Sequence, residues 1–241
     1  MNTIKFNKYN TKIVAHRGVS KLECENTVPA FVAAGNRSYY GIETDVHITG
    51  DGKLILHHDD TAYRLTGIEN LNIEQSAFDH LRSIPLISLV EGDEARKDLR
   101  MPALEEYISV CRKYEKFAVL ELKNPMPDAA IEGIVSVIRD MQWLEQTIFI
   151  SFDLNNMLVL RKLLPEQKLQ YLLSQYPENT LEILKEHNLD LDINYKALTK
   201  ENLDLLHAEG IEVNCWTVDD PVEAEKLASW GVDYITSNIL E

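Results

Sequence analysis

Eight short apolar runs, separated by stretches of helical periodicity, constrain this chain more than any other feature. The runs fall at residues 12–15, 40–48, 117–122, 147–151, 168–172, 189–193, 211–215 and 233–236. Asn26 and Thr27 followed by Pro29 predict a capped helix start, with Ala30, Phe31 and Ala34 on one face and Gly35 at the stop. Pro102 opens a helix in which Leu104, Tyr107, Ile108 and Cys111 share a face, and helices are also expected at 128–141, 154–163, 177–186, 199–208 and 221–229. Such alternation predicts a parallel sheet, because a crossover between parallel strands needs a helix. Eight strands in 241 residues fit an α/β fold closed as a (β/α)8 barrel, which has no edge to protect. A doubly wound open sheet is the rival; it usually carries a glycine-rich first turn, and His16-Arg17-Gly18 stands in that place instead.

One stretch interrupts the alternation. Asp51-Gly52 reads as a hairpin turn from the second strand into 53–58, and the less regular segment 60–100 follows, with Gly67, Pro85 and Gly92. Its charged part, 91–100, is expected to face solvent. The chain is thus expected to form one barrel domain over 1–241, with a short insertion after strand 2 in which 60–100 is a small substrate-covering loop.

Charge and composition exclude several partners. With 39 acidic against 24 basic residues the net charge is −15, which argues against a nucleic-acid backbone or an anionic membrane surface. No run is apolar for long enough to span a bilayer, and residues 1–12 lack the apolar stretch of a secretory signal, so no stable membrane insertion and a cytoplasmic location are expected. Cys24, Cys111 and Cys215 are far apart and show no zinc-like or disulfide-framework spacing. A small anionic substrate remains compatible, provided a metal or local cations reverse the field.

The ionisable residues cluster at strand ends. Side chains alternate along a strand, so Glu43, Asp45 and His47 point one way while Ile42, Thr44 and Val46 point toward the covering helices. Glu121 and Lys123 align in the same manner on the next barrel strand. Three carboxylates, Glu43, Asp45 and Glu121, can therefore meet at the rim, where they would repel one another unless a cation joined them. All-oxygen ligation suits one hard divalent cation, Mg2+ or Ca2+. The plainer alternative pairs Lys123 with Glu121 and leaves Glu43 and Asp45 in solvent. His16 directly follows strand one and His58 follows the hairpin, with Asp59 or Asp60 available to orient its ring; together they offer an acid and a base near neutral pH. Arg17 can fork two bonds to phosphate oxygens, and Lys123 adds a point charge. Trp216, and less strongly Phe152 and Tyr195, are candidates for an apolar wall.

These residues bring a family into view. The sequence resembles the glycerophosphodiester phosphodiesterase family in His16-Arg17-Gly18, Glu25-Asn26-Thr27, Ala30-Phe31, Glu43-Thr44-Asp45-Val46, Asp51-Gly52 and His58-Asp59, with Arg64 and Thr66. The likeness resumes at Pro102-Ala103-Leu104-Glu105, Glu121-Leu122-Lys123, Ser151-Phe152 and Trp216-Thr217-Val218, and ends near Gly231 to Thr236. What the resemblance implies is a metal-dependent TIM barrel that hydrolyses a small-molecule glycerophosphodiester to glycerol 3-phosphate and an alcohol. It puts Glu43, Asp45 and Glu121 on the metal, His16 and His58 on the acid/base pair, and Arg17, Lys123 and Trp216 near the substrate. Glu25 and Asn26 fall in the shell that supports metal and substrate.

The implied nucleophile is the substrate's own glycerol 2-hydroxyl, with the order of the two histidines open. Ser237 and Ile239 stand where many members carry Asp or Asn and then Pro, a departure confined to the closing rim. The modest 60–100 segment implies an open cleft with loose selection of the leaving alcohol. A related phosphodiesterase acting on lysophospholipids, a non-catalytic metabolite-binding barrel and a structural protein with a merely polar rim are the competing readings; the oligomeric state stays open.

Overall fold

The computed structural model describes residues 2–87, 96 and 98–241; most of the charged stretch expected at 91–100 lies outside the described residues. In chain order the elements are β1 (Lys12–Ala15), α1 (Val28–Gly35), β2 (Gly41–Ile48), β3 (Leu54–Leu56), α2 (Tyr63–Thr66), α3 (Phe78–Ser83), α4 (Leu104–Lys113), β4 (Phe117–Leu122) and α5 (Asp128–Asp140). They continue as β5 (Thr147–Ser151), α6 (Leu154–Leu163), β6 (Leu169–Leu173), α7 (Thr180–His187), β7 (Asp190–Asn194), α8 (Lys200–Ala208), β8 (Val213–Trp216), α9 (Pro221–Trp230) and β9 (Tyr234–Ser237). Eight parallel strands, β1, β2 and β4 to β9, pair in sequence order, and β1 closes the ring by pairing with both β2 and β9. The expected TIM (β/α)8 barrel is therefore what the chain forms, with β3 as an antiparallel extension against β2.

Alternation along the strands sorts the core into two layers. Ile42, Val46, Ala118, Leu120, Phe149, Leu191 and Ile235 face outward into the cluster shared with the helices, whereas Val14, Val119, Ile148, Ile150 and Leu172 fill the barrel. The lower, N-terminal end is stoppered by aromatic rings. Tyr40 stacks on Phe117 at 4.4 Å between centroids and meets Tyr234 edge-on at 5.7 Å, while the Lys12 ammonium lies over Tyr40 and Tyr234.

Two local features aim the upper rim. The Thr27 hydroxyl caps α1 by accepting from the Ala30 amide, with a proline in the first turn as the sequence predicts. Gly18, at φ +77°, lets the loop between β1 and α1 lie directly on that helix; a Cβ there would come within 2.6 Å of the Ala30 backbone. That contact turns the residues just before Gly18 into the barrel mouth.

Some details differ from the expectation. The second, fifth, sixth, seventh and eighth barrel strands begin later than expected, at Gly41, Leu169, Asp190, Val213 and Tyr234, and the hairpin arm ends at Leu56, so His57 and His58 leave the sheet before the rim. The described part of segment 60–100 is more ordered than its irregular pattern suggests: around α2 and α3, Leu65, Ile73, Leu81, Leu86 and Leu99 pack with Ile55, Cys24 and Met101 into a cluster of their own. Helices of four and six residues are too short to show a 3.6-residue period.

Candidate active site

β2 and β4 lie side by side with Asp45 opposite Glu121, which sets the three predicted carboxylates at one point of the rim. Glu43, Asp45 and Glu121 each offer an oxygen within 4.8 Å of the others, and all three are buried. Each is held by a different donor. Glu43 Oε2 accepts from the Arg17 amide at 2.7 Å, Asp45 Oδ2 from Asn26 Nδ2 at 2.7 Å, and Glu121 Oε1 from Lys123 Nζ at 2.8 Å. Asn26 is fixed in turn by the Thr44 hydroxyl, which donates to its Oδ1 at 2.6 Å. Asp45 Oδ1 is buried and accepts no hydrogen bond, with Lys123 Nζ 3.5 Å away.

Crowding three acids in low dielectric separates their proton affinities. Burial and the Asp45 charge push Glu43 well above the ordinary carboxylate range, and the same two causes take Glu121 up to about 7 against the pull of Lys123. Burial also acts on Asp45, but Arg17 and Lys123 outweigh it and hold that carboxyl below its usual range. The Lys123–Glu121 pair of the plainer alternative is thus present, yet Glu43 and Asp45 do not turn to solvent. Three converging oxygen donors and an unpartnered buried carboxylate oxygen fit a hard divalent cation.

The two histidines flank this cluster. His16 Nε2 lies 3.9 Å from Glu43 Oε2, and its Nδ1 is 2.7 Å from Asn238 Oδ1. Burial and the neighbouring Arg17 charge lower its pKa to about 4, so the ring is neutral near pH 7. His58 has a carboxylate partner: its Nδ1 is 2.6 Å from Asp59 Oδ1, while Asp59 Oδ2 accepts from Arg64 Nε at 2.7 Å. Of the two aspartates open to this role, Asp59 takes it, and Asp60 accepts from Asn124. Burial still lowers the His58 pKa, opposed by Asp45 and Asp59.

Arg17 reaches Glu25 Oε1 at 2.7 Å, and its buried Nε makes no hydrogen bond. Glu25 also takes two bonds from Arg64, at 2.7 and 2.9 Å. Burial would raise the Glu25 pKa, but the two guanidiniums bring it down to about 2. Glu25 therefore orients Arg17, whereas Asn26 orients Asp45. Trp216 closes the opposite side, with Phe152 edge-on to it at 5.6 Å, in a cleft that His16, Arg17, Glu43, His58 and Glu121 also line. Tyr195 instead packs against the outer core and does not line that cleft. A roomier hollow, lined by Leu54, Phe78, Ala130 and Val137 on the outer wall, holds none of the predicted residues.

Four residues to which the sequence reading gives no role belong to the site's surroundings. Arg64 ties Asp59 to Glu25. Asn238, with Asp219 behind it, holds His16. Asp192 sits inside the barrel on β7, lines the cleft and has an unpartnered Oδ1, and burial with the nearby Glu121 charge pushes its pKa up from the ordinary carboxylate value. Its signal was in the sequence: in Asp190-Leu191-Asp192-Ile193 the acidic residues alternate with apolar ones that face the helices.

Comparison with known proteins agrees with this geometry. The profile of the Glycerophosphoryl diester phosphodiesterase family matches residues 16–240. A glycerophosphodiester phosphodiesterase of Bacillus altitudinis is 28% identical, the alignment covering 93% of each chain. One from Caldanaerobacter subterraneus is 26% identical, over 95% of this chain and 94% of that one. Among solved structures, an Oleispira antarctica phosphodiesterase in complex with the product sn-glycerol-3-phosphate superimposes with a TM-score of 0.86 at 26% identity, covering 98% of this chain and 96% of that one. With its fold, its rim motifs and a family match over nearly its whole length, the chain belongs to the glycerophosphoryl diester phosphodiesterase family.

Proposed function

We propose that the protein hydrolyses glycerophosphodiesters to sn-glycerol 3-phosphate and an alcohol, with one divalent cation, Mg2+ or Ca2+, held by Glu43, Asp45 and Glu121. The observation that carries this reading is the convergence of those carboxylates between two histidines whose Nδ1 partners differ in charge. Relatives named for this activity and a similar structure bound to sn-glycerol-3-phosphate support it. When bound, the cation would make the attacking hydroxyl more acidic and offset charge on the phosphoryl oxygens.

The protein's own groups divide the remaining work. His16, neutral and hydrogen-bonded through Nδ1 to an amide, takes the proton of the glycerol 2-hydroxyl on Nε2 as that oxygen bonds to phosphorus. His58, whose imidazolium the Asp59 carboxylate favours, protonates the departing alcohol oxygen as its bond to phosphorus breaks. A phosphodiester anion alongside would raise the His58 pKa that burial lowers. Water then opens the cyclic phosphate with the two roles exchanged. Arg17 and Lys123 offer their donors to the phosphoryl oxygens, and Trp216 gives the carbon skeleton an apolar wall. We take 1–241 as one catalytic unit in which 60–100 borders the mouth through Arg64.

Purified protein given glycerophosphocholine or glycerophosphoethanolamine, with and without Mg2+, Ca2+ or Mn2+, tests the proposal. Release of glycerol 3-phosphate only with a divalent ion is the expected result. Turnover of lysophospholipids alone, or metal-independent turnover, would overturn it.

A further inference from the structure

We infer that Asp219, acting through Asn238, fixes the ring orientation and the Nδ1–H tautomer of His16, so that both are positioning residues for the base. Asp219 stands in the connection between β8 and α9, and Asn238 directly follows β9. Asp219 Oδ1 accepts from the Ser237 hydroxyl at 3.0 Å and from the Asn238 amide at 2.8 Å, while Asp219 Oδ2 accepts from Asn238 Nδ2 at 2.8 Å. A carboxylate can only accept, so the Asn238 side chain must turn its NH2 toward Asp219. Its Oδ1 then faces the other way and takes two donors, the Ser20 hydroxyl at 2.6 Å and His16 Nδ1 at 2.7 Å.

The consequence for the ring follows from donor and acceptor count alone. An amide oxygen accepts and cannot donate, so His16 Nδ1 carries the hydrogen and Nε2 keeps its lone pair, aimed at the cleft beside Glu43. The backbone adds a second anchor, since the His16 amide donates to the Ser237 carbonyl at 2.9 Å. The β9 terminus thus grips His16 from two sides, at the place where Ser237 and Ile239 depart from the common family pattern.

This inference rests on His16 being the base, and its test separates the two claims. Long-range 1H–15N spectra of the full chain near neutral pH report the His16 tautomer directly, whether or not any diester is cleaved. Wild type should show the Nδ1–H form, and Asn238→Leu should lose it. Asn238→Leu and Asp219→Leu should lower kcat by about ten- to a hundredfold, with KM within about twofold, as expected for a residue acting through a reacting group. The exchange Asp219→Asn/Asn238→Asp, which keeps one donor and one acceptor across the pair, should recover most of that kcat. An Nε2–H tautomer in wild type, or unchanged tautomer and kcat in Asn238→Leu, would overturn the inference. An Nδ1–H signal, lost in Asn238→Leu, in a protein that cleaves no glycerophosphodiester would sink the proposed activity and the role as base while leaving the control of the His16 tautomer standing.

Discussion

Glu121 illustrates how much of this site is unfinished business for the apoprotein. Its carboxyl is raised to about 7 by burial and by Asp45, so the metal-free folded chain binds a proton there that the unfolded chain has already released at lower pH. Stability contributed by that proton is present below the unfolded value of 4.5 and is lost as pH rises toward 7. Metal-free Glu121→Gln should therefore melt higher than metal-free wild type above pH 7, and the gap should close on acidification. Thermal melts across that range check this. Mg2+ or Ca2+ should raise the wild-type melting temperature in a concentration-dependent way and leave that of Glu43→Ala/Glu121→Ala unmoved. At the same scale, His16→Ala and His58→Ala should each lower kcat by roughly two to four orders of magnitude, measured under saturating substrate. The carboxylates and histidines were legible because period-two alternation and the ends of strands tell where a side chain points. The partners Asn238 and Asp219 were not, because a loop residue that reaches across a barrel leaves no period in the sequence.

At the scale of elements, α2 does more than cover the insertion's small core. Arg64 spans Glu25 in the loop after β1 and Asp59 in the loop after β3, so one guanidinium braces the partner of Arg17 and the partner of His58 together. Arg64→Ala should lower kcat/KM by about ten- to a hundredfold while the melting temperature changes little, since the brace is partly exposed. Steady-state kinetics beside a thermal melt separate the two effects. The insertion has its own apolar cluster, and Leu81→Ala there should cost about 2–5 kcal/mol in denaturant unfolding, with the amides of 60–87 losing hydrogen-exchange protection first. The eight barrel strands could be read in advance because apolar runs of four to nine residues between helices have few other solutions. The insertion could not: α2 and α3 hold too few turns for a periodic stripe, and what orders them is contact with Ile55 and Cys24, remote in sequence.

The whole molecule sets a field that the site must reverse locally. With a net charge of −15, the surface repels anions, and Arg17, Lys123 and Arg64 counter it at the rim. Added salt should therefore raise kcat/KM for a net anionic diester such as glycerophosphoglycerol relative to zwitterionic glycerophosphocholine, a comparison made in parallel assays at increasing ionic strength. Among the described residues no helix is long and apolar enough to cross a membrane.

The aromatic stopper at the lower end of the barrel has a kinetic consequence. Tyr40, Phe117 and Tyr234 pack together there under the Lys12 ammonium, so the Trp216 side is the open end of the barrel through which a ligand would both enter and leave. Under the proposed reaction, a phosphorylated product held at Arg17 would stand in the path of the next reactant, so release would compete with entry at each turnover.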